Sequence, residues 1–242
     1  MTRPSGTPEH PTAPPAAEDF AAWNETMVER YDIDRYYERA HPIVRWIEKR
    51  RLQALAGLAG VRPGDRLLEV GCGAGHVLDR FPAADRTGVD LSSGMLGRAR
   101  RRLQGNARLL QSRAEQLPFS DGAFDVVLCT EVLEHTLDPA EVLRELLRVG
   151  RPGARVVVSI PNEANIDRAK RFVRSTPGLR RWLRSLADTG NEWHLHQFDL
   201  RLLRSVASSA GARIARLRGL PLEFAPVRYV ALLENAQPGE MP

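Results

Sequence analysis

The nonapeptide Leu67-Leu-Glu-Val-Gly-Cys-Gly-Ala-Gly75 limits what this chain can fold into more than any other stretch. An apolar run carrying one acid, Glu69, breaks into glycines at Gly71, Gly73 and Gly75. The run reads as a buried strand. Glycines at alternate positions mark a tight turn where a ligand approaches bare backbone, because side chains there would collide with it. The residues from His76 to Arg80 can open a helix, so the motif reads as strand–turn–helix.

Two ligand classes suit such a turn. A dinucleotide site spaces its glycines G-x-G-x-x-G and sets a pyrophosphate over the helix N-terminus. The third glycine of that pattern would fall at position 76, which is His76. Glu69 also adds negative charge where a pyrophosphate would bind. An acid there suits a cation, such as the amino group and sulfonium of S-adenosylmethionine. A second short strand, Thr87-Gly-Val-Asp-Leu91, ends in Asp90, nineteen positions after Gly71. A carboxylate at the tip of a second strand accepts both ribose hydroxyls of an adenosine.

With Glu69 to Gly75 and Val89-Asp-Leu-Ser-Ser93 in register, the sequence resembles the class I S-adenosylmethionine-dependent methyltransferases, over residues 60–235. The resemblance implies cofactor contacts from Glu69, Gly71, Gly73, Gly75, Asp90 and Leu91, and from Thr130 at the end of a fourth strand. It also marks Ala114-Glu-Gln-Leu-Pro-Phe119 as the adenine loop. The family pattern sets an acid before that alanine. This chain has Arg113, which leaves the backbone of Ala114 and the side chain of Glu115 as the contacts.

Length and charge set outer bounds. A chain of 242 residues fits one domain with embellishments and can bury a substantial core. No apolar run approaches the ~18 residues of a membrane helix, and the first residues lack a signal-peptide core. Cys72 and Cys129 stand far apart and give no disulfide framework, so a cytoplasmic protein is expected. A net charge of +5 does not by itself argue for nucleic acid.

Along the chain, residues 1–19 are rich in Pro, Ala, Thr and Ser and are expected to be disordered. Residues 20–60 read as an N-terminal helical lid stopped by Gly60 and Pro63-Gly64, in which Tyr31, Tyr36 and Tyr37 either pack on the core or close over the cofactor. Residues 61–242 alternate strands and helices as an α/β, Rossmann-like doubly wound sheet. The last two strands, 213–218 and 228–234, have no helix between them and read as an antiparallel pair. The resemblance implies seven strands in the order 3-2-1-4-5-7-6, with strand seven reversed. A cap insertion over 163–195 carries two apolar stripes, Ile166/Ala169/Phe172/Val173 and Leu179/Trp182/Leu183/Leu186, among many arginines. Those arginines read as a solvated face, as contacts to an anionic acceptor, or as a basic amphipathic surface that fetches a lipid-like one. An RNA acceptor would need wider basic surface and more stacking aromatics than Trp182 and Trp193.

The acceptor side turns on Glu131-Val-Leu-Glu-His135. On a helix, Glu131, Glu134 and His135 would share one face and form a candidate divalent-metal cluster. His196 or His194 would complete it. Glu-x-x-Glu-His followed by His196-Gln-Phe-Asp199 is similar to the metal site of small-RNA 2′-O-methyltransferases, and ubiquinone-pathway O-methyltransferases carry a similar run. The alternatives stay open: His135 as a general base poised near its ordinary pKa, Glu134 and His135 as substrate contacts, or a packing role. The expected activity is methyl transfer to a small-molecule hydroxyl. N-methylation, RNA 2′-O-methylation and S-adenosylmethionine binding without turnover stand behind it.

Overall fold

The computed structural model describes residues 16–30, 41–176 and 193–236. Seven strands form one sheet in the order β3-β2-β1-β4-β5-β7-β6, as expected. The strands are β1 (Arg66–Val70), β2 (Asp85–Asp90), β3 (Arg108–Gln111), β4 (Phe124–Thr130), β5 (Gly150–Pro161), β6 (Ala212–Leu220) and β7 (Arg228–Asn235). The first five run parallel, and β7 pairs antiparallel with both β5 and β6. Helices α1 (Phe20–Arg30) and α2 (Pro42–Ala59) precede the sheet, and α3 (Ser93–Arg102), α4 (Pro139–Val149), α5 (Glu163–Ser175) and α6 (Leu200–Ser209) connect its strands.

Central parallel strands must be apolar on both faces, because helices cover both. Successive residues therefore feed two separate cores. Leu68, Val70, Val127, Cys129 and Val158 pack beneath Val142, Leu143 and Leu146 of α4 and Leu203 of α6. Leu67, Val126, Leu128 and Val157 pack beneath Leu52 and Leu55 of α2 and Leu96 and Ala99 of α3. Polar caps start the helices: Ser92 accepts from Met95 N, Asp138 from Ala140 N and Glu141 N, and Asp199 from Leu202 N. Gly60 ends α2 in the left-handed region at φ 49°.

Two local expectations change. The residues after the glycines do not open an α-helix; a single 3-10 turn, Leu78–Arg80, follows the loop. Strand β5 is long, with a register shift between Phe124 and Val126 of its neighbour. On α5, Val173 is buried, but Ala169 and Phe172 are exposed. The second apolar stripe of the insertion, residues 1–15, and the tyrosines at 31, 36 and 37 lie outside the described residues.

Gly71 is the backbone position on which the site depends. Its φ is 71°, and a Cβ there would lie 2.2 Å from Val132 Cγ2. Gly71→Ala therefore combines left-handed strain of about 1–2 kcal/mol with an overpacking cost of about 1–3 kcal/mol. Urea unfolding should show a midpoint lowered to match about 2–5 kcal/mol at unchanged slope. A loss under about 0.5 kcal/mol would mean the loop relaxes freely.

Candidate active site

The site lies at the carboxyl ends of the strands, where ligands of open α/β sheets bind. After Val70 the loop crosses to β2: Gly71 N–H and Cys72 N–H both donate to Val89 O, at 2.7 and 2.9 Å. Gly73 N–H donates to Asp90 Oδ2 at 2.7 Å, and Ser92 N–H donates to Asp90 Oδ1 at 2.9 Å. Each carboxylate oxygen thus holds one backbone donor and keeps a lone pair for another. Burial pushes the Asp90 carboxyl up, the Ser92 and Gly73 N–H groups pull it down, and the Glu25 charge adds to the push.

Glu69 lies beneath this loop, 1% exposed. Its Oε2 accepts from Leu78 N–H at 3.1 Å, and the Thr130 hydroxyl also bonds it. Burial raises its carboxyl to about 8, against the opposing pull of the Arg51 charge. Arg51 is itself 1% exposed. It comes from α2, three residues after Glu48 and four before Leu55, inside the helix's buried stripe. Its Nε donates to Glu48 Oε2 at 2.9 Å, and its Nη1 donates to Ser159 Oγ at 3.2 Å. The Ser159 hydroxyl donates to Glu131 Oε1 at 2.9 Å, and Arg228 Nε lies 2.8 Å from Glu131 Oε2. Sequence reading missed Arg51. Its signal was a charge at a position where the helical period calls for an apolar residue.

The segment expected to meet adenine carries the departure noted above. Arg113 is turned to the N-terminal segment: its Nη1 donates to Ala17 O at 3.1 Å, and its guanidinium lies over the Phe20 ring at 5.6 Å. Arg113 also stands 3.6 Å from Glu115 Oε2. Glu115 Oε1 is buried with no hydrogen-bond partner among the described residues. Helix α1 crosses the same edge. Glu25 accepts from Ser92 Oγ at 2.7 Å and from Ser93 N at 2.8 Å, and Val28 packs on Ala74 of the glycine loop. Of the segment expected to form a lid, α1 packs on the glycine loop through Val28 and Ala74, while α2 packs on the sheet face.

The acceptor-side residues do not assemble as the helical reading expected. Strand β4 runs to Thr130, Glu131 takes φ 55°, and only a 3-10 turn, Leu133–His135, follows. The four candidate ligands therefore part company. Glu131 is committed to Ser159 and Arg228, and His196 Nε2–H donates to Thr136 O at 2.9 Å. Glu134, His135 and His194 do come together, each offering one ligand atom within 4.8 Å of the others. Glu134 Oε2 is buried without a hydrogen-bond partner among the described residues. Burial and then the Glu131 charge push its carboxyl up. Burial lowers His135 to about 3, helped by neighbouring His194 and opposed by the Trp193 carbonyl, which accepts from Nδ1 at 3.2 Å. Trp193 joins the two halves. Its ring lies 4.5 Å from that of His135, tilted by 39°, and packs with Val28, Ala74 and Met95.

A family described as "Methyltransferase domain" matches residues 68–158. A ubiquinone biosynthesis O-methyltransferase from Bordetella avium is 32% identical over 193 residues, covering 76% of each chain. A ubiquinone/menaquinone biosynthesis C-methyltransferase from Ectopseudomonas mendocina is 37% identical over 111 residues, and a 27-O-demethylrifamycin SV methyltransferase from Amycolatopsis mediterranei is 34% identical over 125. The chain spans 43% and 46% of the length of these last two. Among solved structures, magnesium protoporphyrin IX methyltransferase from Synechocystis, with bound S-adenosylhomocysteine, superposes at a TM-score of 0.62 with 19% identity, over 88% of this chain and 96% of that one. The seven-stranded order and the relative matched over three quarters of its length agree: this chain belongs to the class I S-adenosylmethionine-dependent methyltransferases.

Proposed function

We propose that the chain moves a methyl group from S-adenosylmethionine to a hydroxyl of a small-molecule acceptor. The carrying observation is the joining, through Trp193, of the glycine loop to the cluster of Glu134, His135 and His194. In this reading Gly71, Gly73 and Gly75 give bare backbone to the cofactor, Asp90 takes the ribose hydroxyls, and Leu91 flanks the adenosine. The Ala114 backbone and the unpartnered Glu115 oxygen meet the adenine. Glu69 and Arg51 offer the zwitterionic methionine end one charge of each sign, with Thr130 beside Glu69. Helix α1 acts as a lid held shut by Glu25. Displacement at a sulfonium needs alignment and a dry pocket more than it needs an activated leaving group.

The donor set of the acceptor cluster fits a divalent ion. One carboxylate with a bare buried oxygen and two imidazoles make a mixed N/O site suited to a transition metal. Glu134, His135 and His194 would hold it, without Glu131 and His196. Bound there, such an ion would lower the pKa of an acceptor hydroxyl. The enclosure that holds His135 neutral suits it to accept a hydrogen bond or a ligand. An anionic or lipid-like acceptor is supported by the exposed Arg168, Arg171 and Phe172 on α5. No helix among the described residues is long and apolar enough to cross a membrane.

Two experiments test this reading. Asp90→Ala removes two charge-assisted hydrogen bonds of about 1.5–3 kcal/mol each. Calorimetry with S-adenosylhomocysteine should show affinity weakened at least ~100-fold, and an unchanged affinity would refute the ribose contact. The second is a screen of phenolic and enolic acceptors with methyl-labelled S-adenosylmethionine, with and without EDTA. Label should appear in an ether. Cofactor binding with no labelled product from any acceptor would favour a binding protein, and full activity in EDTA would remove the metal.

A further inference from the structure

The acceptor cluster rests on a carboxylate outside the Glu-x-x-Glu-His motif. Glu163 opens α5 and is 3% exposed, and its Oε1 lies 2.6 Å from His194 Nδ1. Backbone bonds hold the two residues in place. Glu163 N–H donates to Phe198 O at 2.9 Å, while Leu195 N–H and His196 N–H both donate to Glu134 O, at 2.8 and 3.2 Å. His194 thus touches Glu163 through Nδ1 and belongs to the same cluster as Glu134 and His135. An ionised carboxylate only accepts, so a neutral His194 bonded to it carries its proton on Nδ1 and its lone pair on Nε2. His135 is oriented the same way by the Trp193 carbonyl. His196 has the opposite arrangement, with Nε2–H spent on Thr136 O.

We propose that Glu163 is a positioning residue of the acceptor site: it fixes His194 in the Nδ1–H tautomer and so presents Nε2 to the pocket shared with Glu134 and His135. This rests on the acceptor-site reading above. A histidine that must offer one nitrogen to a ligand needs a partner on the other, or the ring turns and tautomerises freely. The N-terminus of α5 suits a carboxylate at this position. Glu163 also explains which of the two nearby histidines serves. His194 and His196 differ by two residues, and the one with a carboxylate behind it is the one that faces Glu134.

The test uses full-length protein labelled with 15N-histidine, read by long-range 1H–15N correlation, together with Zn2+ titration by calorimetry. Wild type should show His194 protonated at Nδ1 and bare at Nε2. Glu163→Ala should move His194 toward the Nε2–H form and weaken Zn2+ binding about 10–100-fold. Glu163→Gln, whose amide oxygen still accepts from Nδ1, should keep the tautomer and lose less affinity. S-adenosylhomocysteine affinity should match wild type in both variants, which reports an intact fold and cofactor half. A wild-type His194 with Nε2–H, or a Glu163→Ala variant with unchanged tautomer and Zn2+ affinity, would overturn the assignment. If wild type takes no Zn2+, the metal reading falls, and the tautomer comparison alone decides the role of Glu163.

Discussion

A carboxylate buried under a glycine turn is the constraint around which this molecule is arranged. Glu69 sits at the end of β1, in a strand that both cores need to be apolar, and it is almost wholly enclosed. A buried acid without partners would be strongly destabilising. The Leu78 N–H, the Thr130 hydroxyl and the buried Arg51 offset part of that cost. The loop above can fold back over the acid because Gly71 adopts a left-handed conformation with Val132 close against it. What remains is a pocket floor with one buried acid and one buried guanidinium, which suits a zwitterionic ligand end better than a pyrophosphate.

Buried charge extends from that floor into the acceptor side. Glu48, Arg51, Ser159, Glu131 and Arg228 form a chain of contacts between α2, β4, β5 and β7. Buried pairs of this kind add little net stability, yet losing one partner strands the other's charge. Their consequence here is geometric. Glu131 is committed to Ser159 and Arg228, and Glu134 and His135 gather with His194 instead. Trp193 then joins this cluster to the glycine loop, with Val28 of α1 packed in the same group.

The fold was legible because backbone requirements write themselves into sequence. Alternating glycines after an apolar run, doubly apolar strands and two late strands with no helix between them give the sheet its order and its one reversed strand. The acceptor half was less legible because its reading assumed a helix. Three residues at i, i+3 and i+4 share a face only if the turn is α-helical, and here Glu131 takes φ 55° and only a 3-10 turn, Leu133–His135, follows. Glu163 and His194 lie 31 residues apart, and no local period links them. Arg51 stands among the charges of a helix whose exposed face is also basic, so its charge alone does not single it out. Only the packing of α2 against β5 shows that it points into the sheet's carboxyl edge.

The central claim is that the acid beneath the loop answers a positive ligand, and proton release measures it most directly. Burial holds the Glu69 carboxyl at about 8, so at pH 7 it mostly keeps its proton. A cation that favours the ionised form must drive that proton off. S-adenosylmethionine titrated at pH 7 in buffers of different ionisation enthalpy should release most of one proton from wild type and close to none from Glu69→Gln. Binding enthalpies that are the same in every buffer, for protein that binds the cofactor, would contradict the account.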